Sequence, residues 1–467
     1  MRPPAFAMML LCAALISGAA FADPPPPAPA ATVDQAPAPP PDPNQGERSD
    51  GRENVSKARD RLLLAPRLLL LPPRFLFYIL SWPTRWIVEF EERHHIYQRL
   101  YDASTSADGL VGVRPYFYYN TSFQPQFGLH LFHDRLLGPR TAFDTTVTGG
   151  PNNFYADVRG RPTPEGDRIE FVFGATFDRR EDFLYTGLGT TAPLPAGALP
   201  PARYTGSELD LRALLTFHAT RWLSAGLGGW FGFQRFSDGS PTGGDRPISE
   251  IYCVRLADGR CAPSGQVDDA LVPGFSQGTQ FLRASALVRL DTRDGGSIYH
   301  TAPGVIVDLR GDYSHGLGDD PSSYFRVGGG AGVFINLWQD SRFLILRADA
   351  LAVAPVDNTI IPFTQLATLG GPEDLRGFLL DSFRGQSSFI ATAEYRWPIW
   401  MWIDGTVFVD YGGVFGRWWS GFGAGRMQPD VGVGVRITSG DRFFLRLQLA
   451  YGFGDGFQFL IAGSNRL

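Results

Sequence analysis

From about residue 110 onward, apolar and polar residues alternate with a period of two, and the helical period of 3.6 does not return. Sixteen strand-like segments begin near residues 109, 124, 141, 152, 168, 207, 221, 279, 304, 321, 341, 387, 401, 429, 442 and 456. In the segment from Ser387 to Ile399, Phe389, Ala391, Ala393, Tyr395 and Trp397 share one side, and Thr392, Glu394 and Arg396 share the other. Between Phe281 and Arg293, Leu282, Ala284, Ala286, Val288 and Leu290 oppose Arg283, Ser285, Arg289, Asp291 and Arg293. A soluble sandwich buries an apolar row in the same way, so alternation alone does not separate a sandwich from a membrane barrel.

The number and spacing of the segments do more. An even number of antiparallel strands of this length suits an outer-membrane barrel. The three longest gaps, near 178–206, 236–278 and 355–386, follow the fifth, seventh and eleventh segments. Even-numbered gaps are mostly tight, at Thr220, at Gln339-Asp340 and from Ser439 to Asp441; the gap after the eighth is the exception. Long loops at one end and short periplasmic turns at the other require a first strand that leaves the periplasm. In such a barrel, Arg or Lys facing lipid at the midplane costs about 2–4 kcal/mol, so the charged rows face the lumen.

The residues before the strands read differently. Arg2, the apolar run Ala5 to Gly18 and Ala20-Phe21-Ala22 form a secretory signal over residues 1–22, with Asp23 as the mature start. Cys12 is a poor lipidation site, since Leu11 before it is large and the apolar run would be cut in half. Residues 23–58 form a Pro/Ala-rich periplasmic linker that favours extended polyproline II. Residues 59–108 are expected to be short amphipathic helices lying in a membrane interface. Pro66, Arg67, Pro72, Pro73 and Arg74 break the Leu-rich runs well short of the roughly 20 residues a span needs. A second helix starts near Pro83, with Trp86, Phe90, Tyr97 and Tyr101 on its apolar face. His94, His95, Glu91 and Glu92 read as the polar surroundings of that face rather than as a metal site.

Composition sets limits on function. The chain has 467 residues, and charged residues make up 19%, below the soluble average of about 25%. A net charge of −5 gives no basic excess, so nucleic acid is not an expected partner. Beyond the signal, two cysteines remain, Cys253 and Cys261; in an oxidising compartment they read as a local disulfide, with two unpaired loop thiols as the alternative. Zinc would need further ligands that do not cluster nearby. There is no G-x-S-x-G nucleophile elbow, and no Ser-His-acid set is legible among seven histidines. No catalytic residue, cofactor or metal is therefore expected, and a membrane-embedded hydrolase is set aside.

One ordered set of motifs is specific. Leu375-Arg376-Gly377-Phe378 lies in the turn-rich gap 355–386, and the next strand ends in Glu394-Tyr395-Arg396-Trp397-Pro398. The strand after that carries Phe408-Val409-Asp410-Tyr411-Gly412. The set resembles the C-terminal barrel of the BamA/TamA superfamily of outer-membrane assembly factors, two-partner-secretion transporters and bacterial surface antigens. Tyr185-Thr186-Gly187-Leu188-Gly189 resembles its Y-G-L-G element, and Asp291-Thr292-Arg293-Asp294 its D-x-R-D strand end. The resemblance implies an all-β fold, a 16-stranded antiparallel transmembrane β-barrel over residues 109–467 in the bacterial outer membrane. It also implies a loop folded into the lumen, with Arg376 contacting Glu394 and Asp410, Gly377 giving close backbone approach and Phe378 packing.

The residues themselves point the same way. Alternation turns Glu394, Arg396, Phe408, Asp410 and Gly412 inward. With the tight turn centred near Met401, Glu394 stands opposite Phe408 and diagonal to Asp410, roughly 7–8 Å away. Two such carboxylates repel unless a cation lies between them, and an Arg fork binds carboxylates in plane. The cluster either fixes barrel geometry or gates it. Two departures from the family pattern stand out: the span from Asp23 to Asp108 has no room for globular periplasmic POTRA repeats, and Leu467 stands where a terminal aromatic is expected, with Phe457 and Phe459 further back. The expected partners are outer-membrane lipids and client polypeptides or periplasmic factors. The expected function is protein or lipid insertion or translocation; the alternative is a passive channel or structural barrel with an inward-folded plug loop.

Overall fold

The computed structural model describes Arg93, Arg99 and residues 102–463, except 137, 139–140, 163–167, 190–198, 242–243, 294–300, 319, 339–341, 358, 401–402 and 440–442. The signal, the linker, the Leu62 to Trp86 segment, the Trp86/Phe90/Tyr97/Tyr101 face, the His94–His95 pair, Asp294, Met401 and Leu467 lie outside the described residues. Sixteen long strands follow among those described. They begin with β1 Val111–Asn120, β2 Gln126–His133, β3 Thr141–Gly149, β4 Asn153–Pro162, β5 Ile169–Tyr185 and β6 Ala202–His218. Next come β7 Leu223–Asp238, β8 Thr279–Asp291, β9 Gly304–Gly316, β10 Ser323–Trp338 and β11 Arg342–Pro355. The last five are β12 Ser387–Trp400, β13 Ile403–Phe415, β14 Gln428–Ser439, β15 Phe443–Gly452 and β16 Gly456–Gly463. Each pairs antiparallel with its successor, and β16 returns to β1. The result is the closed 16-stranded antiparallel barrel that the alternation and the loop parity implied.

The observed strands start within a few residues of the expected positions, with one real difference. β5 continues to Tyr185 and β6 starts at Ala202, where the sequence pattern placed a gap from 178 to 206. The polar run Arg179-Arg180-Glu181-Asp182 has the composition of a loop. It stays in the sheet, bulged between Arg180 and Phe183, because its polar groups find partners. Arg180 pairs with Asp182 at 3.3 Å, and the buried Arg203 donates to the Asp182 carbonyl and to Asp245, each at 2.8 Å.

The two faces sort as alternation requires. Leu282, Val288, Leu309, Phe325, Val407, Val409, Val433 and Phe457 are all exposed on the outside. Their neighbours Arg283, Asp308, Phe408, Asp410 and Gly432 line the inside. At the long-loop end, residues 239–278 fold into a cap. Ile248, Ile251, Tyr252, Val272 and Phe275 from this segment bury against Tyr185, Tyr204 and Phe363. Phe363 belongs to the loop between β11 and β12, and its N–H donates to Pro273 O at 2.9 Å. That bond ties the cap to the loop that enters the barrel.

Candidate functional site

The β11–β12 loop is shaped for entry. Its neck is a two-stranded ribbon, Ala367–Leu369 against Phe383–Gly385, and Gly370 and Gly371 then turn the chain with φ of 108° and 109°. Leu375 sits at φ 53° and is fully buried. A left-handed Leu costs about 1–2 kcal/mol. The strain is offset by packing among Leu369, Phe378, Phe383, Ile390 and Val414, and the bend aims the next side chain at the wall.

That side chain is Arg376, and it reaches both expected carboxylates. Nε donates to Asp410 Oδ2 at 2.8 Å and Nη2 to Asp410 Oδ1 at 2.9 Å, a bidentate fork. Nη1 donates to Glu394 Oε2 at 2.9 Å. Side-chain exposure is 5% for Arg376, 1% for Asp410 and 7% for Glu394. All three side chains are buried, which makes each partner costly to remove. The guanidinium carbon lies 3.4 Å from the centroid of the Phe408 ring. Glu394 stands opposite Phe408 in register, and Thr392 donates to Asp410 Oδ1 at 2.8 Å, holding the second acceptor in place.

Gly377 and Phe378 complete the contact. The Gly377 N–H donates to Asp430 Oδ2 at 2.9 Å, and a Cβ on Gly377 would lie 2.5 Å from Gly452 N and 2.6 Å from Asp430 Cβ. Phe378 is buried edge-on against Phe383, with ring centroids 5.0 Å apart. Gly412 lies at the far end of the same face, close to the Phe389 carbonyl. Asp430, directly across from Asp410, and Gly452 were not anticipated. Their inward parity on β14 and β15 was the available signal.

A second anchor holds the returning limb of the loop. Arg384 is buried, donates to Phe363 O and Leu184 O at 3.3 Å each, and faces the rings of Tyr185 and Phe363. Gly189 N–H donates to Arg384 O at 2.8 Å, and Thr186 Oγ1 donates to Ser382 O. The Tyr185–Gly189 motif is therefore the clamp on this limb, and Tyr185 Oη also donates to Leu271 O in the cap at 2.6 Å. In that cap Cys253 and Cys261 are joined by a disulfide with Cα atoms 5.5 Å apart. Asp291 and Arg293 pair with each other at 2.7 Å at the short-turn end of β8.

The seam between β1 and β16 is built differently. Among the described residues it comprises three pairs, Tyr118–Ala462, Tyr119–Ile461 and Asn120–Leu460. Thr121 extends it: its N–H donates to Phe459 O at 3.0 Å, and Phe459 N–H donates to Thr121 Oγ1 at 2.6 Å. Leu110 O bonds toward the β2 side, accepting from Asp134 N–H, so odd-numbered residues of β1 aim their backbone groups at the seam. Pro115 is one of them, and it has no N–H to give. Lower down, Thr105 bridges Gly112, and Ser106 N–H donates to Val111 O at 2.8 Å. The chain itself thus covers that part of the β1 edge. Inside the wall at the seam lies a cavity of about 390 Å³ bounded by Tyr118, Tyr155, Arg159, Glu373, Arg446 and Ala462.

No curated protein sequence matches this chain. Residues 271–462 match the Omp85 superfamily domain. Among solved structures, BamA from Haemophilus ducreyi lacking POTRA domains 1–3 aligns at TM-score 0.53 and 13% identity, covering 76% of this chain and 70% of that one. CdiB from Acinetobacter baumannii aligns at TM-score 0.47 and 13% identity over 77% of this chain and 63% of its own. CdiB from Escherichia coli gives 0.47 and 12% over 75% and 62%. The segment that matches the Omp85 superfamily domain holds the Arg376 loop and the strands that grip it, within a barrel of BamA-like fold.

Proposed function

We propose that this protein inserts or translocates polypeptide at the bacterial outer membrane by opening the β1–β16 seam. The observation that carries the reading is the seam itself: among the described residues, three pairs, a proline turned toward the neighbouring strand and a cavity behind it. A strand joined to its neighbour by a short ladder can exchange those bonds for those of an incoming strand, which favours a polypeptide client over a lipid one. The apolar outer belt suits hydrocarbon, and the charged inner rows suit water. In this reading residues 1–22 direct export, 23–58 form a periplasmic spacer, and 59–108 lie on the inner surface of the outer membrane. The cap and the Arg376-anchored loop stop the long-loop mouth, so cargo leaves sideways rather than straight through.

The competing reading is a passive channel with a plug loop, and one experiment separates the two. A Tyr118→Cys/Ala462→Cys pair joins directly opposed residues across the seam. Proteoliposomes carrying the wild type should speed the folding of a urea-denatured outer-membrane barrel. The oxidised double variant should not, and reduction should restore the effect, with reductant-treated wild type controlling for the Cys253–Cys261 bond. A channel would give no acceleration, and a conductance that the cross-link leaves alone.

A further inference from the structure

The lumen holds a second charged cluster, displaced from Arg376 toward the short turns. A cavity of about 130 Å³ is lined by five arginines, Arg347, Arg376, Arg396, Arg436 and Arg446, and by two carboxylates, Glu373 and Glu394. Its floor is a row across four strands: Arg396 opposite Thr406, Thr406 opposite Gly434, and Gly434 opposite Gln448. A Cβ on Gly434 would lie 2.8 Å from Thr406 Oγ1 and 3.1 Å from Gln448 Cγ, filling the cradle. In the next row Arg436 and Arg446 stand directly opposite each other. Each already meets a carboxylate, Arg436 across from Asp404 and Arg446 paired with Glu373, so it is the polar atoms left over around them that point to a ligand.

The carboxylates in reach are already shared among these arginines. Glu394 is shared between Arg376 and Arg396, with Arg396 Nη2 donating at 2.6 Å. Asp404 is across from Arg436 on its other side. Glu373, at the exposed tip of the loop, pairs with Arg446. Four polar atoms on the cavity wall remain buried without a hydrogen-bond partner: Arg396 Nε, Arg446 Nε, Thr406 Oγ1 and Gln448 Oε1. Thr406 and Gln448 are 2% and 8% exposed. Three of the four atoms can donate, which is the complement of a tetrahedral oxyanion and not of a cation.

We propose that this cavity binds a phosphate-type oxyanion over Gly434, between Arg396, Arg436 and Arg446. The anion competes with Glu373 for Arg446, so its binding loosens the loop tip from β15. Free phosphate and the headgroup of a phosphate-bearing lipid share this chemistry.

The test is calorimetric titration of the full chain, in phosphate-free detergent at fixed ionic strength, with inorganic phosphate and separately with monomeric short-chain phosphatidic acid. One saturable site per barrel is expected, with affinity at least tenfold lower in Arg446→Gln and in Gly434→Ala. Heat-modifiable migration shows that each variant has folded. Tighter binding of the phosphatidic acid assigns the site to a lipid headgroup, and binding of inorganic phosphate alone assigns it to the free ion. No saturable binding of either probe, or affinity unchanged in both folded variants, overturns the proposal.

Discussion

β12 and β13 are joined by thirteen residue pairs and present the two carboxylates that hold Arg376. Among the described residues β1 and β16 are joined by three pairs, with Pro115 facing the seam. Both are antiparallel neighbours in one closed sheet, yet one wall is reinforced from inside and the other carries a proline at the joint. Ladder length governs how much hydrogen bonding must break before two strands part, and a buried charged cluster adds a further barrier on one side alone. The contrast teaches that a closed barrel can carry a designated weak line without losing the rigidity of the rest, because local opening draws on local contacts.

The contrast can be broken most severely at Arg376. Arg376→Ala leaves Asp410 and Glu394 buried without their cation and should cost about 3–5 kcal/mol, read as a lower urea midpoint for barrel unfolding and as new protease cleavage in residues 356–386. Arg376→Lys should recover part of the loss, since a point charge cannot fork to two acceptors. Cys253→Ser serves as the control for both regions. Opening a disulfide of sequence separation 8 should cost about 2–3 kcal/mol by loop closure, confined to cap proteolysis.

Gly377→Ala sharpens the comparison from the loop side. Its methyl would press on Gly452 N and Asp430 Cβ, and overpacking of that kind costs about 1–3 kcal/mol. The loop should detach while the β12–β13 ladder persists, visible as selective loss of loop protection. Thr121→Val is the smallest change. It removes the hydroxyl that links Thr121 to Phe459, a loss of about 1 kcal/mol, and it should raise the rate of seam cross-linking by added thiol probes without altering loop proteolysis.

Much of this was legible before any coordinates. Alternation placed Glu394, Phe408 and Asp410 on one face, and a short β12–β13 turn fixed their register, so the need for a cation between the carboxylates followed from spacing, while Arg376 as that cation was implied by the family resemblance. Asp430 was hidden because the 12-residue connection from Gly416 to Met427 leaves the β13–β14 register undetermined by sequence. Gly452 and Arg384 depend on where the loop lies in three dimensions, which no period reports. Pro115 was readable as an edge signal, but only the hydrogen bond from Asp134 to Leu110 shows which edge its nitrogen faces. The long β5–β6 hairpin was missed because a charged run outside the bilayer looks like a loop whether or not it is paired.

The central claim is that the seam parts while the Arg376 wall stays closed, and hydrogen exchange of the full chain in lipid nanodiscs, read by mass spectrometry, tests it most directly. The account predicts that peptides covering Val111–Asn120 and Gly456–Gly463 exchange at least tenfold faster than those covering Ser387–Phe415, and that a Tyr118–Ala462 cross-link abolishes the difference. Equal protection of the two regions in the uncross-linked protein would contradict it.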